Sequence, residues 1–283
     1  MIGEPAVPLS VRLRFGRAAV QTLADSHAIP LLHLKGEIVD PSLRPDGRTG
    51  GDVDVLVHPD HVARVHSQLL ARGWSLYSTF EWGSPFGHAQ TYLHPMWGFL
   101  DLHRFFPGIG LEPGEAFDQL WASRTEMVVA GVACPVPDVD AQAVILLLNA
   151  ARAGQGASAD VERAWLQASD AERERRRRRA DLLDARLAFD AAIGELDRHR
   201  GERGYALWKA VSRGGGRFEE WWGRVRAAPD AGARIRLTLR AALVNTEHLA
   251  RRLGHPPSRR EIVVEFFARP ARGVAELVKG RRA

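Results

Sequence analysis

The chain contains one cysteine, Cys134, and only three lysines among its 39 basic residues: Lys35, Lys209 and Lys279. A single thiol excludes an internal disulfide framework and any metal site built from several cysteines, and it suits a reducing compartment. Long apolar runs are missing too, since no stretch approaches the roughly 18–20 residues that cross a bilayer. The opening MIGEPAVPLS lacks a basic segment followed by an apolar one, so no secretory signal is expected. The expectation is a soluble, cytoplasmic protein with no membrane partner. Because arginine serves almost everywhere else, a lysine inside an apolar segment, such as Lys35, suggests that a compact point charge is needed there.

There is no internal repeat, but the chain has two unlike halves. Residues 1–137 hold 10 basic against 14 acidic residues, whereas residues 138–283 hold 29 against 20. The basic half reads as an Arg-rich helical surface, with contact to a nucleic acid as the alternative. Periodicity changes at the same place. Residues 11–28 carry apolar side chains at helical spacing, and residues 29–34 form a short apolar run suited to a buried strand. Residues 53–57 alternate and stop at His58-Pro59, and a helix follows over 60–71, ending at Gly73. Three strands are expected over 74–79, 88–94 and 97–105, then a hairpin of 126–129 with 132–136. After Pro137 the strand signals vanish. Asp138 or Asp140 can cap a helix through AQAVILLLNAARA, and the later Gly and Pro breakers imply six to eight helices. The predicted architecture is an α/β domain with a mixed sheet over 1–137, followed by an all-α domain over 138–283.

The chemistry is concentrated in Arg48-Thr49-Gly50-Gly51-Asp52-Val53-Asp54-Val55-Leu56-Val57. Strand alternation projects Asp52 and Asp54 to one side, about 7 Å apart, and turns Val53, Val55 and Val57 to the core. Neighbouring carboxylates repel unless a cation lies between them, and oxygen ligands at this spacing suit Mg²⁺ together with substrate phosphates. The Gly50-Gly51 pair permits close approach of a ligand to the backbone. Farther on, Asp101 stands alone between Leu100 and Leu102, where a carboxylate is costly unless metal-bound or paired with Arg104 or another arginine. Upstream, Leu34-Lys35-Gly36 ends a strand and turns toward a helix, a place where backbone N–H groups and a lysine favour phosphate.

A Lys-Gly turn, an Arg, an Asp-x-Asp strand and a lone Asp in a later strand together resemble the polymerase-β-type nucleotidyltransferase superfamily. More narrowly, they are similar to a bacterial branch with the signature LKG…R…DxDxLV…DLH and a helical C-terminal half. The resemblance covers about residues 10–150. It implies transfer of a nucleoside monophosphate from an NTP, with ATP the first expectation, to a small molecule, protein or RNA. It implies that Asp52 and Asp54 hold Mg²⁺, as one or two ions that Mn²⁺ can replace, with Asp101 completing the metal site and acting as general base. Gly36 corresponds to the turn that cradles the triphosphate, with Lys35 and Gly51 beside it. The sequence departs from the broader pattern in carrying Glu37 where Ser or Gly is usual, and in the 15-residue gap between Gly36 and Asp52. Arg48 is then a candidate to neutralise pyrophosphate. His103, on Asp101's face by alternation, is a candidate to orient nucleotide or acceptor, or else a structural partner of a neighbouring strand; Arg104 is expected to be structural. Two rival readings are a DxD glycosyltransferase and a metal-free protein whose helical half binds a partner or RNA.

Other features carry less. His58, His61 and His66 lack zinc spacing. Trp82, Trp97, Trp221 and Trp222 can stack a base but more commonly pack. The Arg175–Arg179 run goes all round a helix and is expected to be solvated, with pairing to Glu172 and Glu174 or contact to a phosphate backbone as alternatives. The stretch 259–278, with Ile262, Val263, Phe266 and Phe267, reads as a docked helix.

Overall fold

The computed structural model describes residues 7–44, 50–81, 86–154, 158–242, 246–266 and 268. Seven strands among these residues form two sheets. Strands β1 (Leu31–Leu34), β2 (Asp52–Val57), β3 (Ser75–Ser78), β4 (Ala89–His94) and β5 (Gly98–His103) build a five-stranded sheet in the order β1-β2-β5-β4-β3. Only the β2–β5 pair is parallel; the others are antiparallel. Strands β6 (Thr125–Val129) and β7 (Val132–Val136) form the separate hairpin expected around Gly131.

One face of the sheet is covered by α1 (Leu9–Ser26) and α2 (Val62–Ala71). The alternation of β2 and β5 sends Val53, Val55, Val57, Leu100 and Leu102 into a core with Val20, Leu23, Val65 and Leu69 from those helices. The opposite set of side chains, beginning with Asp52 and Asp54, is thereby committed to the other face. The hairpin joins Ile38 in a second cluster with Val129, Cys134 and Val136, just beyond the Lys35-Gly36 turn.

Helix α3 (Pro113–Ala122) is additional to the elements that periodicity predicts; it opens with Pro at its first turn and buries Ala116, Phe117 and Leu120. Helix α4 (Val139–Arg152) begins where the hairpin ends, and Asp138 caps it by accepting from Ala141 N at 3.0 Å. Ten of its 14 residues are buried, which makes it a core helix and explains its continuous apolar run. Around it come α5 (Ala159–Val161), which continues as a wider turn to Leu166, then α6 (Asp170–Leu182), α7 (Arg186–Ala192) and α8 (Tyr205–Ser212). Helices α9 (Arg217–Ala227), α10 (Ala231–Ala242) and α11 (Thr246–Leu253) follow. The chain divides into two compact units, Met1–Gly223 and Arg224–Ala283. Among the described residues no helix is long and apolar enough to cross a membrane.

The arginine run on α6 is solvated in part, with Arg175 and Arg178 exposed, and it also makes the expected alternative pairs, Arg176 with Glu172 and Arg178 with Glu174. Arg175 pairs with Asp140, Arg177 with Glu195, Arg178 with Glu174 and Arg179 with Asp138. Arg176 is buried and donates to the Ala164 carbonyl at 2.8 Å and to Glu172 at 3.2 Å. Helix α6 packs on the acidic first turn of α4; of the five arginines only Arg176 is buried, while Arg175 and Arg178 are exposed as well as paired.

The loop after β5 ties the sheet to the helices. Gly108 has φ +103°, and a Cβ there would lie 2.9 Å from Ala188 Cβ and 3.2 Å from Leu148 Cδ2. Gly108→Ala is expected to cost about 2–3 kcal/mol in urea unfolding, from backbone strain plus overpacking. Gly131→Ala, also at positive φ but with nothing within 4 Å of its Cβ, should cost about 1 kcal/mol. Equal costs for the two would contradict the packing account.

Candidate active site

The site follows from strand register. In the parallel β2–β5 pair, Asp52 lies opposite Phe99, Asp54 opposite Asp101, and Leu56 opposite His103. With Val53, Val55, Leu100 and Leu102 turned to the core, the sheet brings Asp54, Asp101 and His103 together on the other face. One ligand atom from each lies within 4.8 Å of the others. Among the described residues no arginine pairs with Asp101; its Oδ1 accepts from Thr91 Oγ1 at 2.7 Å, from the register-matched position on β4.

Lys35 approaches from the end of β1. Its backbone sits at φ 41° and Gly36 follows at φ 74°, so two successive residues occupy the left-handed region. For lysine this conformation is strained by about 1–3 kcal/mol and is held by its surroundings. The turn delivers Nζ to within 2.8 Å of Asp54 Oδ1. His103 Nε2 reaches the same oxygen at 2.9 Å. His103 is buried behind Asp54, its ring stacked on Phe106 and 5.1 Å from that of His88. Its imidazole therefore bears on the carboxylate, and its Nδ1 has no partner among the described residues.

The electrostatics separate the two β2 carboxylates. Burial opposes ionisation of Asp54, but the Lys35 ammonium and the His103 hydrogen bond outweigh it and hold the carboxyl well below its usual range. Asp52 goes the other way. Burial and the charges of Asp54 and Asp101 push it up to about 6, against the weaker pull of Lys35 and Arg17. Crowded carboxylates with one of them driven toward neutrality are the electrostatic signature of a place that favours added positive charge.

Two arginines complete the site that sequence reasoning did not single out. Arg17 of α1 is 1% exposed. It donates to the carbonyls of Leu34 at 3.5 Å and Lys35 at 3.3 Å, and it contacts His33 Nδ1 at 3.3 Å. His33 Nε2 in turn meets Gln21 Oε1 at 2.9 Å. Burial, then the Arg17 charge, holds His33 well below its usual value, so this ring is neutral. Arg17 thus clamps the strained turn from below. Its only sequence signal is its place on the apolar stripe of α1. Arg152, the last residue of α4, donates to His88 Nε2 at 2.5 Å and to Asn149 Oδ1 at 2.9 Å. Burial lowers its affinity for its proton, and the nearby charges of Asp54 and Asp101 oppose that. His88 is pushed down to about 2 by burial and the neighbouring charges of His103 and Arg152, so it is neutral and accepts from the guanidinium.

The remaining candidates are placed as follows. Gly36 is buried, and Gly50 (φ +71°) would bring a Cβ within 3.9 Å of both Gly36 Cα and Asp52 Oδ1. The two glycine segments therefore face each other beside Asp52. Gly51 is exposed, with nothing within 4 Å of where its Cβ would be. Arg48 and Trp82 lie outside the described residues. Glu37 accepts from Arg14 Nε at 3.1 Å. Arg104 donates to Gly87 O and lies 4.5 Å over the Phe80 ring, a structural role as expected. His58 caps the turn before α2, and His66 bonds Tyr92 OH at 2.7 Å.

Two consequences can be measured on the metal-free protein. Lys35→Met leaves the buried Asp54 charge with one partner fewer and should destabilise the fold by about 2–3 kcal/mol. The double variant Lys35→Met/Asp54→Asn should recover most of that loss. A Lys35→Met cost no larger than that of an exposed ion pair, about 0.5 kcal/mol, would contradict the pairing. For Asp52, the folded pKa of about 6 lies above the ordinary 3.8. Its contribution to stability is therefore fully present below pH 3.8 and lost as pH rises through 6. The stability of the wild type relative to Asp52→Asn should fall across that window in chelator-treated samples; a flat difference would contradict the shift.

Among solved structures the chain is similar to a lincosamide antibiotic adenylyltransferase, LnuA, in its lincomycin-bound form, with TM-score 0.34 and 14% identity over 56% of this chain and 90% of that one. It is similar to the antibiotic-resistance factor ANT(2'')-Ia, with TM-score 0.37 and 16% identity over 66% and 92%. A third is an antigenic nucleotidyltransferase-like protein from Paracoccidioides brasiliensis, with TM-score 0.41 and 18% identity over 65% and 93%. No curated protein matches the sequence. The match that decides the matter is to a family described as uncharacterised nucleotidyltransferases, which spans residues 14–195 and so contains the whole sheet, the Lys35-Gly36 turn and the carboxylates. The chain belongs to this nucleotidyltransferase family.

Proposed function

We propose that the protein transfers a nucleoside monophosphate from an NTP, ATP first among them, to a hydroxyl-bearing acceptor with Mg²⁺ at Asp52, Asp54 and Asp101. The observation that carries this reading is the in-register pair Asp54–Asp101 with the Lys35 ammonium on it. The donor set fits a hard divalent cation: Asp54 and Asp101 lie within ligand reach of each other beside His103, and Asp52, two residues before Asp54 on the same strand, is pushed toward its neutral form by burial and by both of them. Bound there, Mg²⁺, or Mn²⁺ in its place, supplies positive charge to the reacting phosphate and to the oxygens entering and leaving it.

The chain's own residues then have distinct tasks. Lys35, paired with Asp54 in the free protein, would be free to turn to phosphate oxygens if a divalent ion were held at Asp54. Arg17 keeps the Lys35-Gly36 turn open by holding its carbonyls, which leaves the turn's N–H side to the triphosphate. Gly36, Gly50 and Gly51 allow the phosphates to approach the backbone. His103 fixes Asp54 in position and touches neither nucleotide nor acceptor. Arg152, held by neutral His88 rather than by a carboxylate, can offer its guanidinium to phosphate charge. Thr91 ties one oxygen of Asp101, and the other takes the acceptor's proton. The acceptor oxygen bonds to the α-phosphorus as the α–β bridging bond breaks, and pyrophosphate leaves with the bonding electrons.

In this reading residues 1–137 carry the chemistry, and helices α4 to α8 shape the acceptor side and contribute Arg152. The arginines of α6 are engaged with acids of their own chain, which favours a small molecule or protein over RNA as acceptor. The test supplies each NTP, labelled at its α-phosphate, with Mg²⁺ or Mn²⁺ and fractionated cell extract. Transfer of label by the wild type, reduced at least about a hundredfold in Asp54→Asn and Asp101→Asn, is the expected result. Transfer that survives those substitutions, or cleavage of nucleotide sugars in place of NTPs, would overturn the proposal.

A further inference from the structure

Beyond the carboxylates, β5 runs into a cavity of about 590 Å³ between the loop that follows it and helices α6, α7 and α8. That volume is in the range of small-molecule sites. Its apolar wall is aromatic: Phe105 lies two residues past His103, and Phe86 and Trp208 stack at 6.2 Å between ring centres. Buried His88 and His103 stand between the cavity and the carboxylates: the His88 ring is 6.2 Å from Phe105 and 5.1 Å from that of His103.

Its polar wall is acidic. Asp181, Asp184 and Glu202 line it, against Arg186 and His199. Two of these acids are satisfied within the chain, Asp181 by Arg186 and Glu202 by His199. Asp184 is different. It is exposed, and its carboxylate has no partner among the described residues. It sits at φ 49° just past α6, where its backbone carbonyl accepts from Gly110 N at 3.1 Å. A Cβ on Gly110 would collide first with the Asp184 carboxylate and then, at 2.6 Å, with that carbonyl, so the glycine lets the β5 loop lie directly on both the side chain and the backbone of Asp184. The clip gives the cavity a fixed wall and leaves Asp184 at its edge.

We propose that this cavity is a binding site for a compact amphipathic cation: an aromatic skeleton bearing an ammonium group. The ring system packs against Phe105 and Trp208, and the ammonium lies against Asp184 with aromatic faces beside it. Anionic molecules of the same shape are disfavoured, because among the described residues the cations of the polar wall, Arg186 and His199, are already paired with acids. This assignment stands apart from the nucleotidyl-transfer reading, and so does its test.

The test is a calorimetric titration of the full chain, without nucleotide or divalent metal, using tryptamine as probe and indole-3-propionate as its anionic counterpart. Tryptamine should bind at least about tenfold more tightly than indole-3-propionate. Asp184→Asn, a substitution at an exposed position, should weaken tryptamine about fivefold and narrow the gap between the probes. Asp170→Asn, an exposed acid on α6 outside the cavity, should leave both unchanged. Equal binding of the two probes, no binding of tryptamine, or indifference to Asp184→Asn would overturn the assignment. Since neither NTP nor metal is present, such a failure concerns the cavity alone, whereas loss or survival of label transfer in Asp54→Asn concerns the reaction alone.

Discussion

Three carboxylates on one sheet face repel one another, and the local structure is organised around containing that repulsion. The parallel register of β2 and β5 places Asp54 beside Asp101, with Asp52 two residues away on the same strand. In water such a cluster is tolerable, but at this depth each negative charge raises the cost of the next. The fold answers with cations from three directions. Lys35 comes from the end of β1 and touches Asp54, Arg17 lies under the same turn from α1, and Arg152 reaches in from the end of α4. Asp54 is kept ionised while Asp52 is pushed up to about 6, so the cluster is left short of positive charge at one corner.

The supporting layer is itself buried, and the rings of His33 and His88 in it are neutral. His33, His88 and His103 are all buried, and each meets a charged residue of the site: Arg17, Arg152 and Asp54 respectively. A neutral imidazole accepts from an arginine without cancelling its charge, as a carboxylate would. Among the described residues the guanidinium groups of Arg17 and Arg152 thus have no direct ion pair, close to where phosphate charge would arrive in the proposed reaction. The strained backbone at Lys35 belongs to the same arrangement, because Arg17 bonds to the carbonyls on either side of the bend.

Much of this was legible in the amino-acid sequence, and the remainder was hidden for physical reasons. Alternation alone puts Asp52 and Asp54 on one face, and the isolation of Asp101 between two leucines marks it as a carboxylate with a purpose. The seven strands follow from β-branched runs punctuated by Gly and Pro. Register between distant strands does not, because nothing local to β2 or β5 says that Asp54 faces Asp101 rather than a neighbour. Arg17 and Arg152 were invisible for a related reason: each lies on a helix of ordinary pattern, and its importance arises from partners far along the chain. Alternation put His103 on the correct face, but its burial depends on Phe106 and His88 stacking around it. In the arginine run on α6, exposed Arg175 and Arg178 fit the solvated reading, whereas the pairs with Asp138, Asp140 and Glu195 were not legible because those partners come from other elements. Helix α3 carried too short an apolar pattern to separate from the loop that precedes it.

The central claim is that the convergence of Asp54 and Asp101 creates a divalent-cation site. It is tested most directly by Mn²⁺ binding followed by electron paramagnetic resonance, on the wild type and on Asp101→Asn, with a non-hydrolysable NTP present. The account predicts saturable Mn²⁺ binding by the wild type, weakened at least about tenfold when Asp101 loses its charge. Mn²⁺ affinity that is the same in both proteins would contradict it.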